Sequence, residues 1–304
     1  MTPIPGGRPH FTEGWGQDGP RTWRRDDPSV VDPSGAGFPV MSVVVPARNE
    51  AESLPQLVGE IASALRPLCA DREDRRFRLG GFEILIVNDG STDRTPEVLE
   101  GLRAAYPELR EVRLRANVGQ SGATAAGFRA AQGAWIATLD ADLQNDPADL
   151  EALWRKLPGH DVALGWRVKR RDTWFRRVVS RWANRVRNAV LGQSIRDTGC
   201  SVRIFPRELA LRLPLFHGSH RFLGPLLIRE GARVVQSAVN HRARPHGSSH
   251  YNFRNRSFRV VVDLLGVSWL MRRPLRYEMV SAESPAVDHH RAEASARRYA
   301  EDRA

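Results

Sequence analysis

The chain has 304 residues, 41% of them hydrophobic, which is enough to bury one sizeable core with short appendages. Its formal net charge of +11 favours an anionic partner such as nucleic acid, an anionic bilayer surface or a phosphorylated substrate, but only Lys156 and Lys169 among the 46 basic residues are lysines, so the charge reflects a general arginine bias as much as any site. Cys69 and Cys200 lie too far apart in sequence for a metal-ligand or disulfide pattern and accord with a reducing, cytosolic setting; no basic-then-apolar leader is seen, and no run reaches the roughly 18 apolar residues of a spanning helix.

Residues 1–39 are crowded with Pro, Gly, Asp and Arg without periodicity and read as a disordered extension. From Val40 apolar runs alternate with amphipathic segments. The pattern predicts strands at Val40–Val45, Phe82–Val87, Glu111–Leu114, Trp135–Leu139 and Asp161–Gly165, and helices at Ala51–Leu65, Pro96–Ala105, Ser121–Gln132 and Pro147–Lys156. Such alternation implies parallel strands joined by right-handed crossovers, an α/β Rossmann-like, mostly parallel sheet with helices on both faces. Thr95 before Pro96 and Asp146 before Pro147 are expected to cap their helices. Pro67–Gly81 reads as a surface insertion. After Gly165 the alternation stops. A basic helix is expected at Trp174–Leu191, then an apolar region with an arginine- and histidine-rich loop, then a 258–280 segment that packs on the domain or lies at a membrane, and a disordered 281–304 tail.

Three strand ends carry polar residues. In Trp135-Ile-Ala-Thr-Leu-Asp140-Ala-Asp142-Leu-Gln144 the alternation of an extended strand would place Asp140, Asp142 and Gln144 on one face, a donor set suited to Mg²⁺ or Mn²⁺ beyond the carboxyl end of a strand. The plainer alternative is a turn in which Asp142 or Asp146 caps the next helix. In Asn88-Asp89-Gly90-Ser91-Thr92-Asp93, Asp89 has the chemistry to hold a nucleotide base or ribose and Gly90 permits a sharp turn. Glu50, in Pro46-Ala-Arg48-Asn49-Glu50, either meets the same nucleoside or simply interacts with a helix dipole.

Taken in order, PARNE at 46–50, NDGSTD at 88–93, NVGQSGA at 117–123, DADLQNDP at 140–147, GWR at 165–167 and DTGCSVR at 197–203 resemble the inverting family-two nucleotide-sugar glycosyltransferases, in particular dolichol-phosphate mannose synthases and bacterial polyprenyl-phosphate glycosyltransferases. The resemblance runs from Met41 to about Asn252 and implies a catalytic domain of the GT-A type over residues 40–257. It implies donor contacts from Pro46, Arg48, Glu50, Asp89, Gly90, Asn117, Gly119 and Asp140, and a Mg²⁺ or Mn²⁺ ion on Asp140, Asp142 and Gln144 against the donor diphosphate.

On the acceptor side, Arg176, Ser180 and Asn184 recur every four residues on the basic helix and match the family's Arg-x-x-x-Ser-x-x-x-Asn pattern. With Arg167, Arg244 and Ser249 they are expected to hold the acceptor phosphate. His250 stands where the family's Arg-x-x-Gly-x-Ser-Lys pattern has lysine, which lowers the fixed charge of that loop. An apolar stripe of Phe175, Val178, Val179, Trp182, Val186 and Val190 would face either lipid or the sheet. The expected reaction is transfer, with inversion, from GDP-mannose or a UDP-sugar to a polyprenyl phosphate at the cytosolic face of the plasma membrane. The enzyme would reach its lipid from the bilayer surface, as an oligomer or through a membrane partner. Rival readings are a family-two transferase acting on a glycan or lipid-linked hydroxyl, a nucleic-acid-binding protein using the basic helix, and a membrane scaffold.

Overall fold

The computed structural model describes residues 38–71, 74–168, 184–245 and 254–273. In chain order the elements are β1 (Val40–Ala47), α1 (Leu54–Ala70), β2 (Gly81–Asn88), α2 (Thr95–Leu102), β3 (Leu109–Arg113), α3 (Gly119–Ala130), β4 (Trp135–Thr138), α4 (Asp149–Lys156) and β5 (Val162–Arg167). There follow α5, described over residues 184–191, then β6 (Arg203–Pro206), α6 (Arg207–Arg212), a 3₁₀ turn (Ser219–Arg221), α7 (Leu223–Arg229), β7 (Val234–Val239) and α8 (Arg254–Met271).

The strands form one sheet in the order β3-β2-β1-β4-β6-β5-β7. β1 lies parallel between β2 and β4, with Val44 opposite both Leu85 and Thr138. Its Val43-Val44-Val45 run is fully buried because both faces are covered, as parallel sheets require. Val43 and Val45 enter a core with Leu57, Ile61, Ile84 and Trp154, beneath α1 and α4; Val44 enters the other core with Phe128, Phe205 and Leu226, beneath α3 and α7. Each such fully buried aliphatic side chain contributes about 1.5–3 kcal/mol. Gly127 in α3 allows that helix to lie close on the sheet, since an added Cβ would collide with Val44.

The sheet is mostly parallel, as expected; β6 alone among these strands runs antiparallel, to both β4 and β5, and β7 extends the sheet parallel to β5. At four residues beginning with arginine, β6 offers too little periodicity to be read as a strand. Two expectations are corrected. Helix α1 does not stop before Pro67 but runs to Ala70, because Leu68 is buried and its carbonyl accepts the Leu79 amide at 3.1 Å. The segment expected as a surface insertion therefore belongs partly to the core, with Leu79 buried and the Phe77 carbonyl accepting the Trp154 indole N–H at 2.7 Å.

Only the C-terminal part of the basic helix is described. There Leu191 is buried and Val190 packs against the second core, so that end of the predicted stripe faces protein. Among the described residues an apolar surface lies on α8, where Val261, Val262, Leu265 and Trp269 are exposed, the last two by 62% and 59%, while Val267 anchors the opposite face in the core. Among the described residues no helix is long and apolar enough to cross a membrane.

Candidate active site

The turn after β1 and the turn after β2 are stitched together. Asn49 adopts a left-handed backbone (φ 56°), its amide donates to Ser91 Oγ at 3.0 Å, and its side-chain oxygen accepts the Thr92 amide at 2.8 Å. Thr95 does not cap α2 but is its first residue: its hydroxyl accepts the Glu50 amide at 3.1 Å, and its own amide donates to Asp93 at 3.0 Å. Asp146 does not cap α4 either: it accepts the Ala148 amide at 3.1 Å in the turn ahead of the helix, whose first residue is Asp149.

The Asp89 carboxylate accepts the amides of Val118 (2.7 Å) and Gly119 (2.9 Å), so it holds the start of α3. Gly90 has φ +62°, and a Cβ there would sit 2.6 Å from the Asn117 amide nitrogen, so only glycine fits. Asn117 in turn accepts the Gly119 amide at 3.0 Å. Asp89, Gly90, Asn117 and Gly119 thus converge on one rim, while Pro46 is half-buried and Arg48 exposed beside it.

Beyond β4 the chain does not continue as a strand. β4 ends at Thr138, and Asp140 and Asp142 lie in the turn that follows it, ahead of a left-handed Leu143 (φ 60°), rather than on alternating positions of an extended strand. Asp142 is buried; one of its oxygens accepts the Gln144 amide at 3.1 Å and the other takes Arg244 Nη2 at 2.5 Å. Burial, and next the neighbouring Asp142 charge, raise the Asp140 pKa above the ordinary carboxylate range. Glu50 is raised as well, first by burial, with Asp142 adding repulsion and Arg244 offsetting part of it. Glu50, Asp142 and Arg244 are therefore one electrostatic cluster.

Arg244 reaches this cluster because its segment is clamped. The Arg242 amide donates to the Gln144 carbonyl at 2.8 Å, and its guanidinium bonds Glu60 at 2.7 and 2.9 Å and Asp146 at 2.8 Å. Asn240 meets the buried Asp149 carboxylate through its amide (2.6 Å) and side chain (3.1 Å).

Arg167, at the end of β5, grips Asp197 with both arms of its fork at 2.7 and 3.0 Å. Burial opposes its charge, but Asp197 overcomes that and raises its pKa. Asn184 donates to the carbonyls of Ile195 (2.8 Å) and Arg196 (2.9 Å), so it shapes the 195–198 loop. Arg176, Ser180 and Ser249 lie outside the described residues.

A cavity of about 260 Å³ opens beside Asp140, between the start of α3, β4, β6 and the 3₁₀ turn. Gln120, which donates to Asp140 at 3.0 Å, lines it with Ser201, Arg203, His220 and Arg221. Arg203 is the residue that sequence reasoning left out of the site. It closes the DTGCSVR motif, and its register opposite Thr138 puts it at the acidic end of β4.

Asp140 and Asp142 lie in a turn at the carboxyl end of a parallel strand, beside a polar cavity, where open α/β sheets bind ligands, and the family described as Glycosyl transferase family 2 matches residues 42–213. The chain belongs to this family. A dodecaprenyl-phosphate galacturonate synthase from Rhizobium johnstonii is 36% identical over 261 residues, covering 82% of this chain and 73% of its own length. Among solved structures, glucosyl-3-phosphoglycerate synthase from Mycobacterium tuberculosis, in complex with Mn²⁺ and UDP-glucose, aligns at a TM-score of 0.55 and 19% identity over 78% of this chain and 82% of that one. The mannosyltransferase PcManGT from Pyrobaculum calidifontis, with GDP-Man and Mn²⁺, aligns at 0.53 and 20% identity over 82% and 66%. The fold is accordingly GT-A-like and the chain is a glycosyltransferase.

As a cation site the family-two cluster offers hard oxygen donors only. Asp140 and Asp142 repel one another, and Arg244 already supplies positive charge at Asp142, which is the balance a divalent ion would take over. Among the described residues no set of three or more His, Cys, Asp or Glu converges, so such an ion would need ligands from the Gln144 amide, water or a diphosphate.

Proposed function

We propose that this family-two enzyme transfers a sugar from a nucleotide-sugar to a polyprenyl phosphate at a membrane surface, with inversion. The observation that supports it best is the 2.5 Å contact between Arg244 and Asp142, because it brings a phosphate-binding side chain of the acceptor loop to the acidic end of the donor strand. The 36% identical dodecaprenyl-phosphate synthase favours the same lipid class.

In this reading Pro46, Arg48, Glu50, Asp89, Gly90, Asn117 and Gly119 form the nucleoside rim. Asp140, Asp142 and Gln144 would hold a Mg²⁺ or Mn²⁺ ion, which when bound supplies neutralising charge to the departing nucleoside diphosphate. Arg244 then exchanges Asp142 for the acceptor phosphate, and Arg167, fixed by Asp197, adds positive charge near Asp140. A phosphate oxygen is anionic at neutral pH and attacks the anomeric carbon without a base. That suits an acceptor side whose carboxylate, Asp197, is already paired with Arg167; a hydroxyl acceptor would require a carboxylate base there. The exposed face of α8 would rest on the bilayer, bringing the enzyme to its lipid from the cytosolic side.

Incubation with radiolabelled UDP- and GDP-sugars, Mn²⁺ and polyprenyl phosphate tests this directly. Label is expected in the organic-extractable lipid; label confined to water-soluble glycan would overturn the acceptor assignment.

A further inference from the structure

Arg242 and Arg244 stand two residues apart in Asn240-His241-Arg242-Ala243-Arg244, so an extended chain there turns both to the same side. Beyond the end of β7 this segment lies antiparallel to the one that leads into α4, through an isolated bridge between Asn145 and His241. One residue out from the bridge, Gln144 comes opposite Arg242, whose amide donates to the Gln144 carbonyl at 2.8 Å. Two residues further out on both segments, Asp142 comes opposite Arg244, whose Nη2 meets it at 2.5 Å. The Asp142–Arg244 contact thus falls on the register that the bridge sets, as directly opposed residues do in an antiparallel pair.

So short a pairing is a weak hold on register by itself. A slip of one residue would bring Ala243 opposite Asp142 and turn both arginines away. Towards β7 the segment is held by Asn240, which meets the Asp149 carboxylate at 2.6 and 3.1 Å. Towards Arg244 it is held by the Arg242 side chain, whose guanidinium meets Glu60 on α1 at 2.7 and 2.9 Å and Asp146 at 2.8 Å. Burial opposes the Arg242 charge, but Asp146 and Glu60 overcome that and raise its pKa. All three side chains are partly exposed, so the bridge adds little to the stability of the fold, and breaking it tells on the placing of the segment.

We propose that Arg242 is a positioning residue for lipid transfer: by pinning the 240–244 segment to α1 and to Asp146 it fixes the register that presents Arg244 to the acceptor phosphate. This rests on the acceptor role given to Arg244 above. Arg242 acts through Arg244 and not on either substrate.

The KM for polyprenyl phosphate, kcat, nucleoside diphosphate affinity and melting temperature are measured for Arg242→Ala, Arg244→Ala and the double variant. Arg242→Ala is expected to raise the lipid KM by about 10-fold, with nucleoside diphosphate affinity and melting temperature held. In the Arg244→Ala background the same change should add nothing, because the residue it positions is gone. A second loss of equal size there would mean that Arg242 acts on its own and would overturn the proposal. Full rescue by Arg242→Lys would overturn it too, since lysine restores the charge but has no fork to span Glu60 and Asp146; recovery of a minor part is expected. A silent Arg242→Ala beside a strong Arg244→Ala effect overturns the proposal alone, whereas an unchanged lipid KM in Arg244→Ala removes the acceptor reading and the proposal with it. Should Arg242→Ala fail to fold, Glu60→Gln takes its place: a smaller rise in lipid KM that disappears in the Arg244→Ala background is expected, and an unchanged lipid KM overturns the proposal.

Discussion

The two sides of the cleft are built on different principles. On the side of the proposed nucleoside rim, each strand-to-helix turn satisfies itself from its immediate neighbours: Asp89 holds the amides that open α3, Asp93 the first amide of α2, and Asn49 the Ser91-Thr92 turn. Across from it, arginines come from distant parts of the chain, Arg203 on an antiparallel strand and Arg244 on a clamped loop, and each meets a carboxylate or carbonyl outside its own turn. Local hydrogen bonding makes a rigid rim. Long-range charge pairing makes a side that can exchange partners.

That contrast is broken most severely at Asp142, where the two sides touch. Asp142→Asn is expected to lower transfer by three orders of magnitude or so with little change in melting temperature, since it removes cation-binding charge from a turn rather than packing from a core. Chelation of the wild type should give a comparable loss, and near-normal turnover in either case would refute the assignment. Next in size, Arg244→Ala should cost about 100-fold in lipid transfer while nucleoside diphosphate binding, measured calorimetrically, is kept, and lysine should restore only part because it lacks the fork. Asp197→Asn leaves Arg167 half-buried without its counter-charge and should cost about 3 kcal/mol of stability, read from denaturant unfolding. The smallest effect on activity in detergent is expected from Leu265→Glu with Trp269→Glu on the exposed face of α8. This pair should melt normally and yet lose binding to anionic vesicles; unchanged vesicle binding would remove α8 from the membrane contact.

The same division governed what the sequence disclosed. The first half was legible because parallel strands buried on both faces leave unbroken apolar runs such as Val43-Val44-Val45, and because the residues that cap and turn sit next to the strands they serve. Asp140 and Asp142 were read as neighbours for the wrong geometric reason, since they lie in a turn after β4 ends at Thr138, not on alternating positions of an extended strand. Pro67 concealed the end of α1, as burial of Leu68 outweighed a helix breaker. Beyond Gly165 little was visible. β6 is four residues long and pairs with strands far from it in sequence, so nothing near Arg203 announced that it would lie beside Asp140. Arg244 was expected on a phosphate; its pairing with Asp142 depends on the anchoring of Arg242 to Glu60 and Asp146, which no local pattern encodes.

Read in time rather than space, the Asp142–Arg244 contact imposes a queue. On the function proposed above, a lipid phosphate arriving first would meet an arginine whose charge is already neutralised, whereas a donor arriving first would displace that arginine and leave it ready. The sequence of substrate encounters is thereby written into a single ion pair: initial-rate measurements should show an ordered mechanism with the nucleotide-sugar leading, and the order should become random once Arg244 is replaced.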